Sequence, residues 1–303
     1  MAIQQIINAL SLGVMYALIA VGFTLFFGVI DVVNFAHGEV YMLGAFAAML
    51  TSGVLVSCGI TQGSVLYIGI ILAVVILAGT IFGAALEKFI VRPMRGAPGL
   101  MTLLITVGAS IIVREAVQLT VHNGRNPQPF PKLVELPSIN LGGALIKSET
   151  LVCIVLSAVL ITALYHLIEK TTYGRYIRAT AQDRDAALMM GVNVKQVFIM
   201  TMILGSVLGA VAGLMNGMTY SIIKFDMGFA ASMKGFAAAV VGGLGNIYGA
   251  IVGGLLLGIL EIGVVSMIPD GSSYQQLISF MAVIICLVFR PSGLFGEKVF
   301  EKV

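Results

Sequence analysis

Eight long apolar stretches, at residues 5–30, 38–57, 65–87, 99–121, 150–168, 197–221, 230–268 and 274–290, constrain this chain before any other feature does. About 20 predominantly apolar residues suffice to cross the hydrocarbon of a bilayer. A soluble domain has no interior for so many: 59% of the 303 residues are hydrophobic and the mean hydropathy is +1.04. Length alone would suit one or two soluble domains, and hydropathy overrides that. The expected fold class is therefore an all-α polytopic membrane protein of about eight transmembrane helices, a single transmembrane domain over 1–303. The seventh stretch is too long for one crossing. Gly242, Gly243, Gly245 and Gly249 interrupt it around Asn246, which predicts a shorter helix near 230–243 and a longer one near 247–268.

Orientation follows from the basic residues, because Lys and Arg in short loops stay on the cytoplasmic side. Placing 88–98, 169–196 and the tail 290–303 inside collects 11 of the 17 basic residues there. The opposite loops, 122–149 and 222–234, hold 5. This leaves the N-terminal tail outside and the 31–37 turn inside. The first basic residue is Lys88, so the N-terminus lacks the charged region of a secretory signal, and its apolar run exceeds the usual ~7–15 residue core.

Ionisable groups at membrane depth are costly and mark functional sites by default. Asp31, Asn34, His37 and Glu39 fall in a row between the first two spans. If Glu39 starts the second helix, it sits at the positive end of the helix dipole, and Gly38 lets the backbone turn. The alternative is a short interfacial turn that leaves these groups in water. A second polar break, around Asp226, echoes the first: in each half an acid precedes a Gly-interrupted segment of small residues. The two breaks fall on opposite sides, the arrangement of an inverted repeat with broken helices, which points to a substrate path near the midplane. Glu261 is a further intramembrane charge, lining a cavity or facing the outer headgroups. Translocation-path candidates are thus Asn34, His37, Glu39, Asp226 and Glu261.

One polar stretch, Glu169 to Lys195, holds eight of the 31 charged residues. Its core from Arg178 to Gly191 is predicted to be one short helix, rich in Ala, Leu and Met, stopped by Gly191 and Asn193. A small-residue helix with a polar face of mixed charge suits docking into a partner's groove. A solvated linker between spans is the alternative.

Other stretches are ordinary by comparison. LEKFIVRPMRGAPG reads as a cytoplasmic hairpin. Arg114 and Glu115, as helix neighbours, are not expected to form a simple ion pair. The outer loop VHNGRNPQPFPKLVELPSINLGGALIKSE, with turn signals at Asn123-Gly124 and Gly142-Gly143, reads as an extended or hairpin cap. Gly205, Gly209, Gly213 and Gly217 form a stripe that permits close helix packing. Cys58, Cys153 and Cys286 have no metal-ligand spacing; a Cys58–Cys153 disulfide at the outer face is conceivable and unsupported. No GxxxxGK[ST] phosphate loop and no zinc spacing are present, nor a G-x-S-x-G elbow. No cofactor, no nucleic-acid partner and no chemistry on a bound substrate are expected.

The segments VVNFAHGEVYMLGAF (32–46) and ATAQDRDAALMMGVNV (179–194), with GLMNGM, the GGLGN break and the RPSGLFG tail, resemble the permease subunits of high-affinity branched-chain amino-acid ABC importers over the whole chain. Asp185, Ala186, Ala187 and Gly191 match the EAA-xxx-G pattern of such permeases, with Asp in place of Glu. The resemblance implies a type II-like ABC importer permease fold and a coupling loop at 169–196. It also implies two ATP-binding subunits at the cytoplasmic face, a homologous second permease, a periplasmic or lipid-anchored substrate-binding protein, and residence in a bacterial inner membrane. Transport would run by alternating access. The family includes urea and short-chain amide permeases, so urea uptake is the runner-up; a stand-alone secondary transporter or channel would not need the docking helix, and a membrane enzyme lacks a catalytic cluster.

Overall fold

A computed structural model describes residues 2–121, 123–134, 139–141 and 144–296. Its helices are α1 (Ala2–Ile30), α2 (His37–Ser57), α3 (Val65–Leu86), α4 (Gly99–Thr120), α5 (Ser148–Lys170), α6 (Thr172–Gln182), α7 (Arg184–Met189), α8 (Val194–Tyr220), α9 (Met227–Gly242), α10 (Ile247–Met267) and α11 (Gln275–Phe289). Among the described residues, eight helical segments are long and apolar enough to cross a membrane, and α9 is a shorter apolar helix. The division of the seventh stretch at Gly243–Asn246 holds, with Asn246 capping α10 through Gly249 N–H. The expected Gly142-Gly143 turn and the tail beyond 296 lie outside the described residues.

Burial sorts the helices. α1 is apolar all round because it runs through the centre, against α8, α9 and α10; Ala17, Leu18, Ala20 and Val21 are fully buried. α8 is the second central helix, packed on α2 and α3 as well. α11 and α5 keep long rows of exposed Leu, Ile and Val, the surface expected of a lipid-facing or subunit-facing rim. The glycine stripe of α8 serves two purposes. Gly213 receives the Tyr41 backbone, whereas Gly205, Gly209 and Gly217 make room for the rings of Phe26, His37 and Phe130.

The segments that the basic residues assign to opposite sides gather at opposite ends of the bundle, and those ends take the names inner and outer from that assignment. At one end, Val29 of α1 packs with Ile177, Val194, Val197 and Phe198, Gly28 lies against Gly245, and the tail returns to the same place, Asn246 donating to the Phe295 carbonyl at 3.0 Å. At the other end a two-residue strand β1 (Gln128–Pro129) pairs antiparallel with β4 (Ile222–Ile223), beside the hairpin of β2 (Ile139–Leu141) and β3 (Ala144–Ile146). The outer loop is thus a small cap stitched to the end of α8.

Three expectations are corrected. The helix predicted over Arg178–Gly191 is two helices, because the Asp183 side chain accepts from the Asp185 and Ala186 N–H groups at 3.0 and 2.9 Å and starts α7 afresh. The 222–234 segment is not all loop: α9 begins at Met227 and carries Lys234 within it. All three cysteines are free, with Cys58 exposed and Cys153 buried, so the conceivable disulfide does not form.

Candidate functional site

After Ile30 the chain does not simply turn at the surface. Asp31 ends α1 in a left-handed conformation, φ 57°, and stays exposed; residues 32–36 then climb back along α1. His37 comes to rest against Gly22 and Gly209, about 12 Å up α1 from its inner end at 1.5 Å per residue. From there α2 continues to the outer end, where the Ser52 and Tyr67 hydroxyls hydrogen-bond at 2.6 Å. The mirror image follows α8. The chain re-enters from the outer end through 221–226, and α9 runs from Met227 to the inner end, where Gly243 meets Gly296.

The two half-helices begin face to face. A Cβ on Gly38 would overlap the Gly228 carbonyl and the Ser232 hydroxyl, and one on Gly228 would fall 2.6 Å from the Gly38 carbonyl and 2.7 Å from Glu39 Oε2. Only two glycines, each the second residue of its helix, allow that approach. Ser232 Oγ donates to the Phe35 carbonyl at 3.1 Å and ties the pair. Because a helix N-terminus carries partial positive charge, two positive ends converge here inside the apolar bundle.

Three of the candidate side chains gather at this point, all buried. Asn34 Oδ1 accepts from Ala36 N–H at 3.1 Å, leaving its Nδ2 unpartnered. His37 stands edge-on to Phe23 and Phe26, with ring centroids at 5.1 and 4.9 Å. Neither imidazole nitrogen reaches hydrogen-bond geometry. Glu39, in the first turn of α2 as expected, accepts from Ser110 Oγ at 2.7 Å through Oε1, while Oε2 has no partner. Asp226 caps the start of α9 without a side-chain hydrogen bond and remains exposed.

Glu261 lies elsewhere and in a different state. It is fully buried, accepts from the Tyr16 hydroxyl at 2.8 Å, pairs with Lys234 Nζ at 2.9 Å and is hydrogen-bonded by Ser279. Lys234 also reaches the Tyr16 hydroxyl at 2.7 Å. This network joins α1, α9, α10 and α11.

Sequence reasoning missed the partners on α4. Thr106 Oγ1 accepts from Phe35 N–H at 3.3 Å and Ser110 serves Glu39. Thr102, Thr106, Ser110 and Arg114 recur every four residues, so they share one face; that polar stripe on an apolar helix was the available signal. Arg114 Nε does approach the Glu115 carboxylate, at 3.6 Å, against the helix-face expectation.

At the inner end, α7 presents the motif residues. Asp185 is exposed, Ala186 half-buried, and Ala187 buried with only 4% exposure. Gly191 has φ +83°, with open space where a Cβ would point. Leu188, Met189 and Met190 project into solvent, the two methionines 83% and 84% exposed. Beside Gly191 a cavity of about 200 Å³ opens between α6 and α8, lined by Tyr173, Tyr176 and Gln196 among others.

The group leaves one carboxylate oxygen of Glu39 and the amide nitrogen of Asn34 unpartnered, and nothing in it is arranged as a nucleophile with its base. Among the described residues, no cluster of His, Cys, Asp or Glu could hold a metal ion. A family model described as branched-chain amino acid transport system / permease component matches residues 5–287. The chain is 34% identical to the high-affinity branched-chain amino acid transport system permease protein BraD of Pseudomonas aeruginosa, over 99% of this chain and 98% of the relative. It is 35% identical to the permease protein LivH of Escherichia coli K12, over 99% and 97%. No solved structure matches.

Proposed function

The chain belongs to the family of branched-chain amino acid transport system permease components, and from that premise we propose how its two polar sites divide the work of transport. It is the membrane permease subunit of an ABC importer, a multi-pass inner-membrane protein and not an enzyme. Its ATP-binding and substrate-binding functions reside on partner subunits. The cargo we assign is a branched-chain amino acid, because the relatives that align end to end are named for that transport; urea and short-chain amides are not favoured.

In this reading the Gly38–Gly228 crossing is the constriction of the path, with Asn34, His37, Glu39 and Asp226 around it and a homologous permease supplying the other half. Alternating access moves the half-helices apart, exposing the Glu39 oxygen that is unpartnered when they meet. Glu261 contributes by holding α9, not by touching cargo. At the inner face the α6–α7 loop seats on one of two ATP-binding subunits, and ATP-driven closure of those subunits shifts the loop as a rigid body. A periplasmic or lipid-anchored binding protein delivers cargo to the cap formed by β1–β4.

The observation that carries the coupling assignment is the exposed Leu188-Met189-Met190 tip on an otherwise polar loop. Methionine-rich apolar tips are adaptable docking surfaces, and a solvated linker has no use for three adjacent exposed apolar side chains. Met189→Asp should therefore insert normally and lose the ATP-binding subunits on purification. Full retention of those subunits together with normal uptake of labelled leucine would return the loop to the linker reading.

A further inference from the structure

Between the docking loop and the spans, one aromatic ring collects charges from two separate segments. Phe198, in the second turn of α8, is 1% exposed and packs on Val29, Ile177, Val194 and Val197. The guanidinium carbon of Arg184, the first residue of α7, lies over its ring at 4.9 Å from the centroid. That of Arg95, just past the end of the third span, lies over the same ring at 4.6 Å. Arg95 is in turn ion-paired with Glu87, which is buried at the point where α3 changes into a π-helical turn over Glu87–Val91.

The arrangement has physical content beyond contact. A ring face attracts a cation most strongly when the pair is withdrawn from water, and here a single ring faces two like charges with one carboxylate to balance them. Burial pulls the Arg95 pKa down, Glu87 opposes that, and the like charges of Arg184 and Arg92 add to the fall. Arg95 Nε has no hydrogen-bond partner. A cluster in which one cation is exposed and the other is held by its own carboxylate responds when the exposed one is displaced. π-helical turns inside α-helices are frequent at functional sites because they change register at low cost.

We propose that Arg184, Phe198, Arg95 and Glu87 form the joint through which a shift of α7 is passed to the inner end of α3 and so to α4, the helix whose Ser110 and Thr106 hold the Glu39 break. The joint rests on the coupling-loop reading above and adds the residues that act on the membrane side of it. These are positioning residues; none touches cargo or nucleotide.

The test uses the whole importer, purified with its own ATP-binding and substrate-binding subunits and reconstituted in vesicles, with cargo moved per ATP hydrolysed as the readout. Arg184→Gln, at an exposed position that does not endanger folding, should lower that ratio by about fivefold or more, within the usual range for a coupling between sites. Phe198→Leu should do the same while keeping the apolar volume, and Phe198→Tyr, which keeps the ring, should restore most of it. Combined, Arg184→Gln and Phe198→Leu should be no worse than the worse single change, because they break one contact. An unchanged ratio in Arg184→Gln, or single effects that multiply in the double variant, would overturn the joint. Met189→Asp run in parallel separates the two ideas: if it uncouples or releases the ATP-binding subunits while Arg184→Gln is silent, the loop docks but the joint is wrong; if it is silent as well, both fall.

Discussion

Glu39 and Glu261 are both buried, and they are buried differently. Glu261 has a cation, a phenol and a hydroxyl around its two oxygens. Glu39 has one serine on one oxygen and, for the other, only the glycine backbone of an opposing helix. A carboxylate withdrawn from water needs paired charge and satisfied hydrogen bonds. Glu261 meets that requirement four helices wide, so its place is to hold α9 against α1, α10 and α11. Glu39 meets it by half, at the meeting of two helix starts, and under the proposed function the unmet half is capacity for something that passes.

The contrast is sharpest in what removal does. Glu261→Ala leaves the half-buried Lys234 ammonium without its counter-ion, a loss of up to about 3–5 kcal/mol, the cost of breaking a fully buried pair. Thermal unfolding of the detergent-purified protein should show a large drop. Removing both charges, with Glu261→Met and Lys234→Met, should recover much of it, because an apolar replacement of a buried pair is often neutral. A mild Glu261→Ala would place Lys234 in water and weaken the distinction drawn here.

A smaller effect is expected where the half-helices cross. Gly228→Ala puts a methyl group 2.7 Å from Glu39 Oε2 and 2.6 Å from the Gly38 carbonyl, overpacking that costs about 1–3 kcal/mol. Transport should fall more than stability does, since the added atom stands in the constriction. Normal uptake by Gly228→Ala would mean the path runs elsewhere. Smaller again is Ser110→Ala, which removes the hydrogen bond to Glu39 and costs about 1 kcal/mol. Cysteine labelling on a background lacking the three native cysteines should show no change in orientation: Gln128 reacts from outside, Ala97 and Ser292 do not.

Much of this was legible in the residues. The apolar runs located the spans to within a few residues, and the four glycines around Asn246 located the α9–α10 break, because a helix interior tolerates neither Gly clusters nor a cap in its middle. Pairing was not legible: that Gly38 opposes Gly228, that Ser110 serves Glu39, and that Lys234 answers Glu261 are facts about helices distant in sequence. Asp183 was also misread, since its side chain stops one helix and starts the next only when its backbone is extended, φ −154° and ψ 110°. Gly191 was read correctly because its left-handed backbone is a local demand.

The central claim is that the half-paired carboxylate serves transport and the fully paired one serves the fold. Glu39→Gln and Glu261→Gln, each assembled with the ATP-binding and substrate-binding subunits and measured side by side for leucine uptake into vesicles and for thermal stability, test it directly. The account predicts that Glu39→Gln unfolds at close to the wild-type temperature and loses most uptake, whereas Glu261→Gln unfolds markedly earlier and transports normally in its folded fraction. Normal uptake by Glu39→Gln, or loss of uptake by Glu261→Gln at unchanged stability, would contradict it.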